Sequence, residues 1–383
     1  MARQFSKTVF VVGAGASREF LLPTGRELLT KLADTAKYVE IPGGSRFESK
    51  PRSFRDEFEL AENIIYEKHG NGFQGFLFKA AAWISRVCRL APSIDNLLHA
   101  HSENKDRVIA GKMMIAHSIL VAEKESSLRP INKLGVDNRD FLFNKVAVME
   151  HGVRNVIEPI PSWLAELFWI LVENQTFQEF LAALKNMTFI VFNYDRCVEH
   201  FLLNATSVYF DLDTTKLNMV SDALNVVHPY GSLGRLTING VFAEGFGTSL
   251  PIHQVYEEIR TFTEGIESED MTNQIKEAMT EANILCFLGF GYLDLNLKLL
   301  FGDEGYAIPT IMGTAYGMSE NAKGWVRSYL ARNVKYGRDN PSAREEKLAG
   351  VDFKNDQHVS DIALADLTCS QLLQRNRQIF RPT

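Results

Sequence analysis

Short apolar runs rich in β-branched and aromatic residues recur along the chain, each stopped by glycine or a turn residue. They lie at Val9–Val12, Phe189–Phe192, Val226–Val227, Ile284–Leu288 and Ile308–Met312. Runs of this length without polar alternation predict strands buried on both faces, the habit of a parallel sheet. Between them the apolar spacing lengthens to a helical period, over Arg55–Lys68, Phe76–Leu90, Ile94–Ala100, Lys105–Ala122 and Trp163–Lys185. Strands alternating with such segments predict an α/β fold with a Rossmann-like open parallel sheet. The stretch from Val12 to Phe189 is too long for one crossover. It predicts a helical subdomain at 40–180 inserted into a sheet domain made of 1–39 and 181–318. Residues 319–383 turn polar and helical, and read as a C-terminal extension and candidate assembly element. Polar, glycine-containing stretches at 40–53, 126–140 and 335–347 are predicted loops.

Composition narrows the picture. The 383 residues are 45% hydrophobic and 23% charged, an ordinary globular balance. The formal net charge of −6 gives no support for direct nucleic-acid binding, which draws on a basic excess. The start of the chain runs straight into the first apolar segment, so neither a signal peptide nor a membrane span of about 20 apolar residues is expected. Cys88, Cys197, Cys286 and Cys369 lie far apart and form no Cys-x-x-Cys pair. The expectation is four reduced thiols in a cytoplasmic protein, with no zinc module and no metal.

Four turns that follow predicted strands carry the candidate chemistry. In "VFVVGAGAS", Gly13, Ala14 and Gly15 follow the first strand and precede a helix, with Ser17 behind them. Glycine there permits close backbone approach, and amides at a helix start suit a pyrophosphate. The bland alternative is a tight strand-to-helix turn. The position three residues after Gly15, where the dinucleotide fingerprint of common oxidoreductases has a third glycine, is Arg18, which argues against a dehydrogenase. Thr24 and Glu27 have capping-box spacing and mark a helix start. In "FNYD", Asn193 can orient a carboxamide or a water. Asp195 lines the same turn or caps the next helix. "HPYGSLG" brings His228, able to exchange a proton near neutral pH. "GFGYLDLNL" brings Gly289 and Gly291 for close approach, with Asp294 and Asn296 as candidates for ribose hydroxyls or, alternatively, as the start of a capped helix.

The ordered set "GAGAS" with "PTG", then "FNYD", "HPYGSLG" and "GFGYLDLNL" resembles the sirtuin-like family, in particular the bacterial sirtuin-like NAD hydrolases of phage defence. "SIDNLL" at 93–98 resembles a segment often seen between those motifs. The resemblance implies an NAD site on a Rossmann-like sheet with a helical insertion. It implies Asn193 and His228 as catalytic residues. It implies that Gly13, Ala14, Gly15, Ser17, Asp195, Gly289, Gly291, Asp294 and Asn296 surround the dinucleotide. In the family pattern glycine directly follows the histidine. Here the run is His228-Pro229-Tyr230-Gly231, so either His228 or Tyr230 holds the histidine position. The missing cysteine module points away from protein deacetylation and towards cleavage of NAD, as substrate, into nicotinamide and ADP-ribose. By the same resemblance, expected partners are further copies of the chain and a HerA-type hexameric ATPase or another component of a defence system. An NAD- or ADP-ribose-binding sensor, or a structural subunit without turnover, is the alternative.

Overall fold

The structure, a computed structural model, describes residues 5–39, 54–67, 75–128, 147–150, 153–156, 161–239, 242–248, 250–302, 305–335 and 362–382. The predicted loop at 40–53 lies outside the described residues, as do 129–140 and 336–347 of the other two.

Strand β1 (Thr8–Val12) opens the fold and is followed by the single turn α1 (Ala14–Ser17) and helix α2 (Gly25–Val39). A helical layer follows: α3 (Phe54–Glu67), α4 (Phe76–Val87), α5 (Ile94–Ala100) and α6 (Lys105–Glu125). A hairpin, β2 (Ala147–Glu150) and β3 (Val153–Val156), precedes α7 (Trp163–Val172), α8 (Phe177–Lys185) and strand β4 (Met187–Val191). Then come α9 (Cys197–Phe210), α10 (Thr214–Ala223) and β5 (Asn225–Val227). A second hairpin, β6 (Thr237–Asn239) and β7 (Phe242–Glu244), leads to α11 (Ile252–Val255), α12 (Phe262–Glu267) and α13 (Glu269–Glu281). Strand β8 (Ile284–Leu288), α14 (Asp294–Phe301), β9 (Thr310–Thr314), α15 (Glu320–Leu330) and β10 (Ile362–Ala365) follow, before a last helix, Cys369–Arg375.

Among the described residues, six strands form one parallel sheet in the order β10-β9-β8-β1-β4-β5. Counted within the sheet alone this is 3-2-1-4-5-6 read from the β5 edge, the doubly wound Rossmann-like order. The chain reverses direction across the sheet between β1 and β8. Ligands of such sheets bind at that switch point, beyond the carboxyl ends of the strands.

Both faces of the sheet are covered, which is why its strands read as unbroken apolar runs. Val9 and Val11 of β1, Ile190 of β4, and Leu285 and Phe287 of β8 join a core with α2 to α6 and α12 to α14. Phe10, Val12, Phe189, Val191, Cys286 and Leu288 face the other way, onto α7 to α10 and the last helix. On that face Phe10 lies between Phe189 and Phe380, with ring centroids 5.3 and 5.6 Å away. The helices of the insertion therefore share the core of the sheet. Helices α7 and α8, assigned by sequence largely to that insertion, cover the opposite face from α2 to α6.

The C-terminal segment departs from the helical extension read from sequence, because Ile362–Ala365 pairs with β9 as an edge strand. Its burial alternates, with Ile362 and Leu364 inward and Ala363 exposed. At four residues, alternately buried at a sheet edge, it is shorter and less continuously buried than the five-residue central strands. No described helix is long and apolar enough to cross a membrane.

Candidate functional site

Register decides what meets at the carboxyl edge. Val12 stands opposite Val191 on one side and Leu288 on the other. The next residues, Gly13, Phe192 and Gly289, consequently leave the sheet at one level, and the turns they start lie side by side.

The two glycine turns are packed into each other. A Cβ on Gly13 would lie 2.5 Å from the Gly289 carbonyl oxygen, and one on Gly15 2.8 Å from the same atom. A Cβ on Gly289, whose φ is +56°, would lie 2.0 Å from the Ala16 nitrogen. The Gly13 and Gly15 amides donate to the carbonyls of Leu288 (2.9 Å) and Gly289 (3.0 Å). The Gly289 amide donates to Thr314 Oγ1 (2.8 Å). The Gly13 and Gly15 amides, expected from sequence to hold a pyrophosphate, thus have protein acceptors on the neighbouring turn. The Ala14 amide has no acceptor among the described residues. Helix α1 is a single turn, too short to build a strong dipole. Thr24 and Glu27 do form the predicted reciprocal cap, Glu27 accepting from the Thr24 amide (2.8 Å) and hydroxyl (2.9 Å).

At the end of β4, Asn193 is 5% exposed. Its Nδ2 donates to Ser17 Oγ (2.7 Å). Its Oδ1 is buried and accepts no hydrogen bond. Asp195, also buried, accepts from the Cys197 amide (3.1 Å), so it serves the start of α9 in the way a cap does. Burial pushes the Asp195 carboxyl up, against hydrogen bonds from Cys197 and Ser17 and the charge of His228.

His228, at the end of β5, touches Asn193 directly. Its Nδ1 lies 3.1 Å from the Asn193 carbonyl oxygen and its Nε2 2.9 Å from Glu199 Oε1. Burial works against a charged ring, but the Glu199 carboxylate and the Asn193 carbonyl outweigh it and raise the pKa above 6.5. Burial likewise opposes charge on Glu199, yet His228 holds its carboxyl below the ordinary 4.5. Both neighbours of the ring offer acceptor oxygens, so a ring protonated at both nitrogens satisfies both contacts. Acting as a base, the role expected from sequence, would require the ring to give up its contact with either the Asn193 carbonyl or Glu199.

Tyr230 is fully buried and donates to Asn296 Oδ1 (2.7 Å). Burial, then the nearby Asp95 charge, raises its pKa far above neutrality, so it is a donor and not a base. Of the last cluster, Gly291 is exposed and its would-be Cβ meets nothing closer than 3.9 Å. Asp294 is exposed and paired with Lys298 (2.8 Å) on the outside of α14. The four predicted clusters are thus joined in a ring: Gly13 and Gly15 to Gly289, Ser17 to Asn193, Asn193 to His228, and Tyr230 to Asn296. Asp294 and Gly291 stand apart from it.

Three acidic residues escaped the sequence reading. Glu199 is one. Asp95, in the "SIDNLL" segment, accepts from the Tyr194 hydroxyl and so carries the helical layer onto the edge. Glu19 accepts from the amides of Trp163 (2.8 Å) and Ser370 (3.2 Å), tying α1's exit to α7 and the last helix. Beside His228 and Glu199 a polar cleft of about 620 Å³ opens at the β5 edge. Among the described residues no three His, Cys, Asp or Glu side chains are placed to hold a metal, and all four cysteines are buried thiols.

Compared with protein-family models and with curated protein sequences, the chain matches none.

Proposed function

We propose that the chain hydrolyses the bond between nicotinamide and ribose in NAD, releasing nicotinamide and ADP-ribose. One observation carries the reading: a buried side-chain oxygen, Asn193 Oδ1, has no partner at the carboxyl edge of a Rossmann-like sheet, beside the switch point. An unpaired buried amide oxygen costs about 1–3 kcal/mol, and a donor on the substrate or an attacking water would satisfy it. Nicotinamide departs as a neutral molecule, so the leaving group needs no acid. What the site supplies is orientation of ribose and water about the breaking bond. Asn193 orients the water or the carboxamide, Tyr230 and Asn296 form a polar wall, and Ser17 fixes the Asn193 amide. His228 is a donor on Asn193.

The fully donated imidazole favours a second reading, in which NAD or ADP-ribose is bound and sensed without turnover. Assembly with further copies, or with a HerA-type ATPase or another defence component, belongs to either reading and rests on the family resemblance. Purified protein is to be incubated with NAD, alone and with the product of a neighbouring gene, and nicotinamide release measured. Asn193→Ala is expected to lower turnover about 10²-fold, the scale of a lost positioning contact, with little change in thermal unfolding. Full turnover in the alanine variant overturns the assignment. Binding of NAD by wild type with no product selects the sensing reading.

A further inference from the structure

Asn193 is held at two points. Ser17 takes its side-chain nitrogen, and the His228 ring takes its main-chain oxygen. The second grip depends on a residue outside every motif. Glu199, in the first turn of α9, stands 2.9 Å from the far nitrogen of the ring. Its other oxygen, Oε2, is buried without a partner, and the ring is the side-chain partner of its carboxylate. The start of α9 is itself anchored: Arg196 is fully buried and donates to Glu123 Oε2 (2.6 Å), Glu123 Oε1 (3.1 Å) and the Gly245 carbonyl (2.9 Å).

We propose that Glu199 is a positioning residue that keeps the His228 ring doubly protonated, so that the ring grips the Asn193 main chain and leaves Asn193 Oδ1 presented at the sheet edge. A ring with one proton can donate to only one of its two neighbours. It would set a lone pair against either the Asn193 carbonyl or the Glu199 carboxylate, and the grip on Asn193 would loosen. The charged groups around the ring are Glu199 on α9, Arg196 just before it, and Asp195 after β4. Across the cleft stand Arg235, Glu258 and Arg260, with Asp222 on α10 and Asp270 on α13. Arg196 is neutralised by Glu123, and Asp195 acts on the ring in the same direction as Glu199.

The sign of the pH effect follows. His228 is raised from 6.5, so its contribution is complete below that value and is lost as pH rises through the folded-state pKa. Glu199 is lowered from 4.5, so its contribution is complete above that value and is lost as pH falls through the depressed pKa. The clamp is therefore fully formed between pH 4.5 and 6.5 and opens on the alkaline side.

The role given to Asn193 rests on the proposed NAD hydrolysis; the protonation of the ring does not, and the two are tested separately. The full chain labelled with nitrogen-15 histidine is to be titrated by NMR, with His228→Gln used to assign the signal. Both ring nitrogens are expected to be protonated at pH 6. In Glu199→Gln, which keeps an acceptor but loses the charge, the His228 pKa is expected to fall by about 1–3 pH units. The alkaline limb of kcat for NAD is expected to move down with it, with KM nearly unchanged. A singly protonated ring in wild type at pH 6, or an unaltered pKa in Glu199→Gln, overturns the proposal. So does an alkaline limb that stays put while the pKa moves. Should wild type release no nicotinamide, the hydrolysis reading falls and the NMR titration alone decides whether Glu199 sets the ring's charge. If Glu199→Gln fails to fold, Glu199→Asp takes its place: an intermediate His228 pKa supports the clamp, and an unchanged one overturns it.

Discussion

At one edge of one sheet, the paired glycine turns and the Asn193–His228 corner are built on opposite terms. In the glycine turns the polar groups are largely consumed: the Gly13, Gly15 and Gly289 amides each find a protein acceptor within 3.0 Å. Space is consumed as well, since any Cβ there would overlap backbone. At the corner, 5% exposed Asn193 keeps an oxygen with no partner, and Glu199 keeps another. Glycine in a strand-to-helix turn is usually read as room for a ligand. Here it is room for the neighbouring turn, and the unpartnered polar atoms lie on the side chains next door.

The largest break in this comparison is expected from Gly289→Ala. A left-handed φ costs a non-glycine residue about 1–2 kcal/mol and overpacking about 1–3 kcal/mol, so a loss of about 2–5 kcal/mol is expected in urea unfolding. A loss below about 1 kcal/mol would mean that the two turns are not packed as described. Glu19, just beyond the first turn, tests the closed side through pH. Burial raises its carboxyl from 4.5 to about 7 despite two amide donors. The raised value means that its contribution to stability is present below pH 4.5 and is lost as pH rises through about 7. Over that interval the shift corresponds to roughly 3 kcal/mol. Replacing Glu19 with Gln is expected to flatten the stability profile between those limits; an unchanged slope would place the charge elsewhere. The smallest effect is expected at Gly291→Ala, a change within about 0.5 kcal/mol, because that glycine is exposed and its Cβ would make only an ordinary contact with Leu293, 3.9 Å away.

The same comparison separates what could be read in the residues from what could not. The central strands were legible because burial on both faces leaves continuous apolar runs, and the four turns were legible because strand ends in such sheets are marked by glycine, asparagine or histidine. The edge strand at Ile362–Ala365 was not, since it is short and only alternately buried. Nor was the use of the Gly13 and Gly15 amides, because their acceptors lie on a turn more than 270 residues away. Glu199 meets His228 only through the geometry of the β4–α9–β5 unit, and Asp95 meets Tyr194 across 99 residues. Sequence spacing carries contacts within one element; these contacts are set by how elements pack.

The central position of β1 has a consequence for how the molecule is made. Of the six strands of the sheet this one is made first, yet its neighbours are Met187–Val191 and Ile284–Leu288. At about 5–20 residues per second, the first partner follows after roughly 10–35 s and the second later still. Until then Val9–Val12 is an apolar strand without its sheet partners, open to wrong pairings. Because Gly13 and Gly15 reach their acceptors only when Leu288 and Gly289 arrive, the carboxyl edge is among the last parts of the protein to take shape, and a nascent chain stopped before residue 289 lacks it altogether.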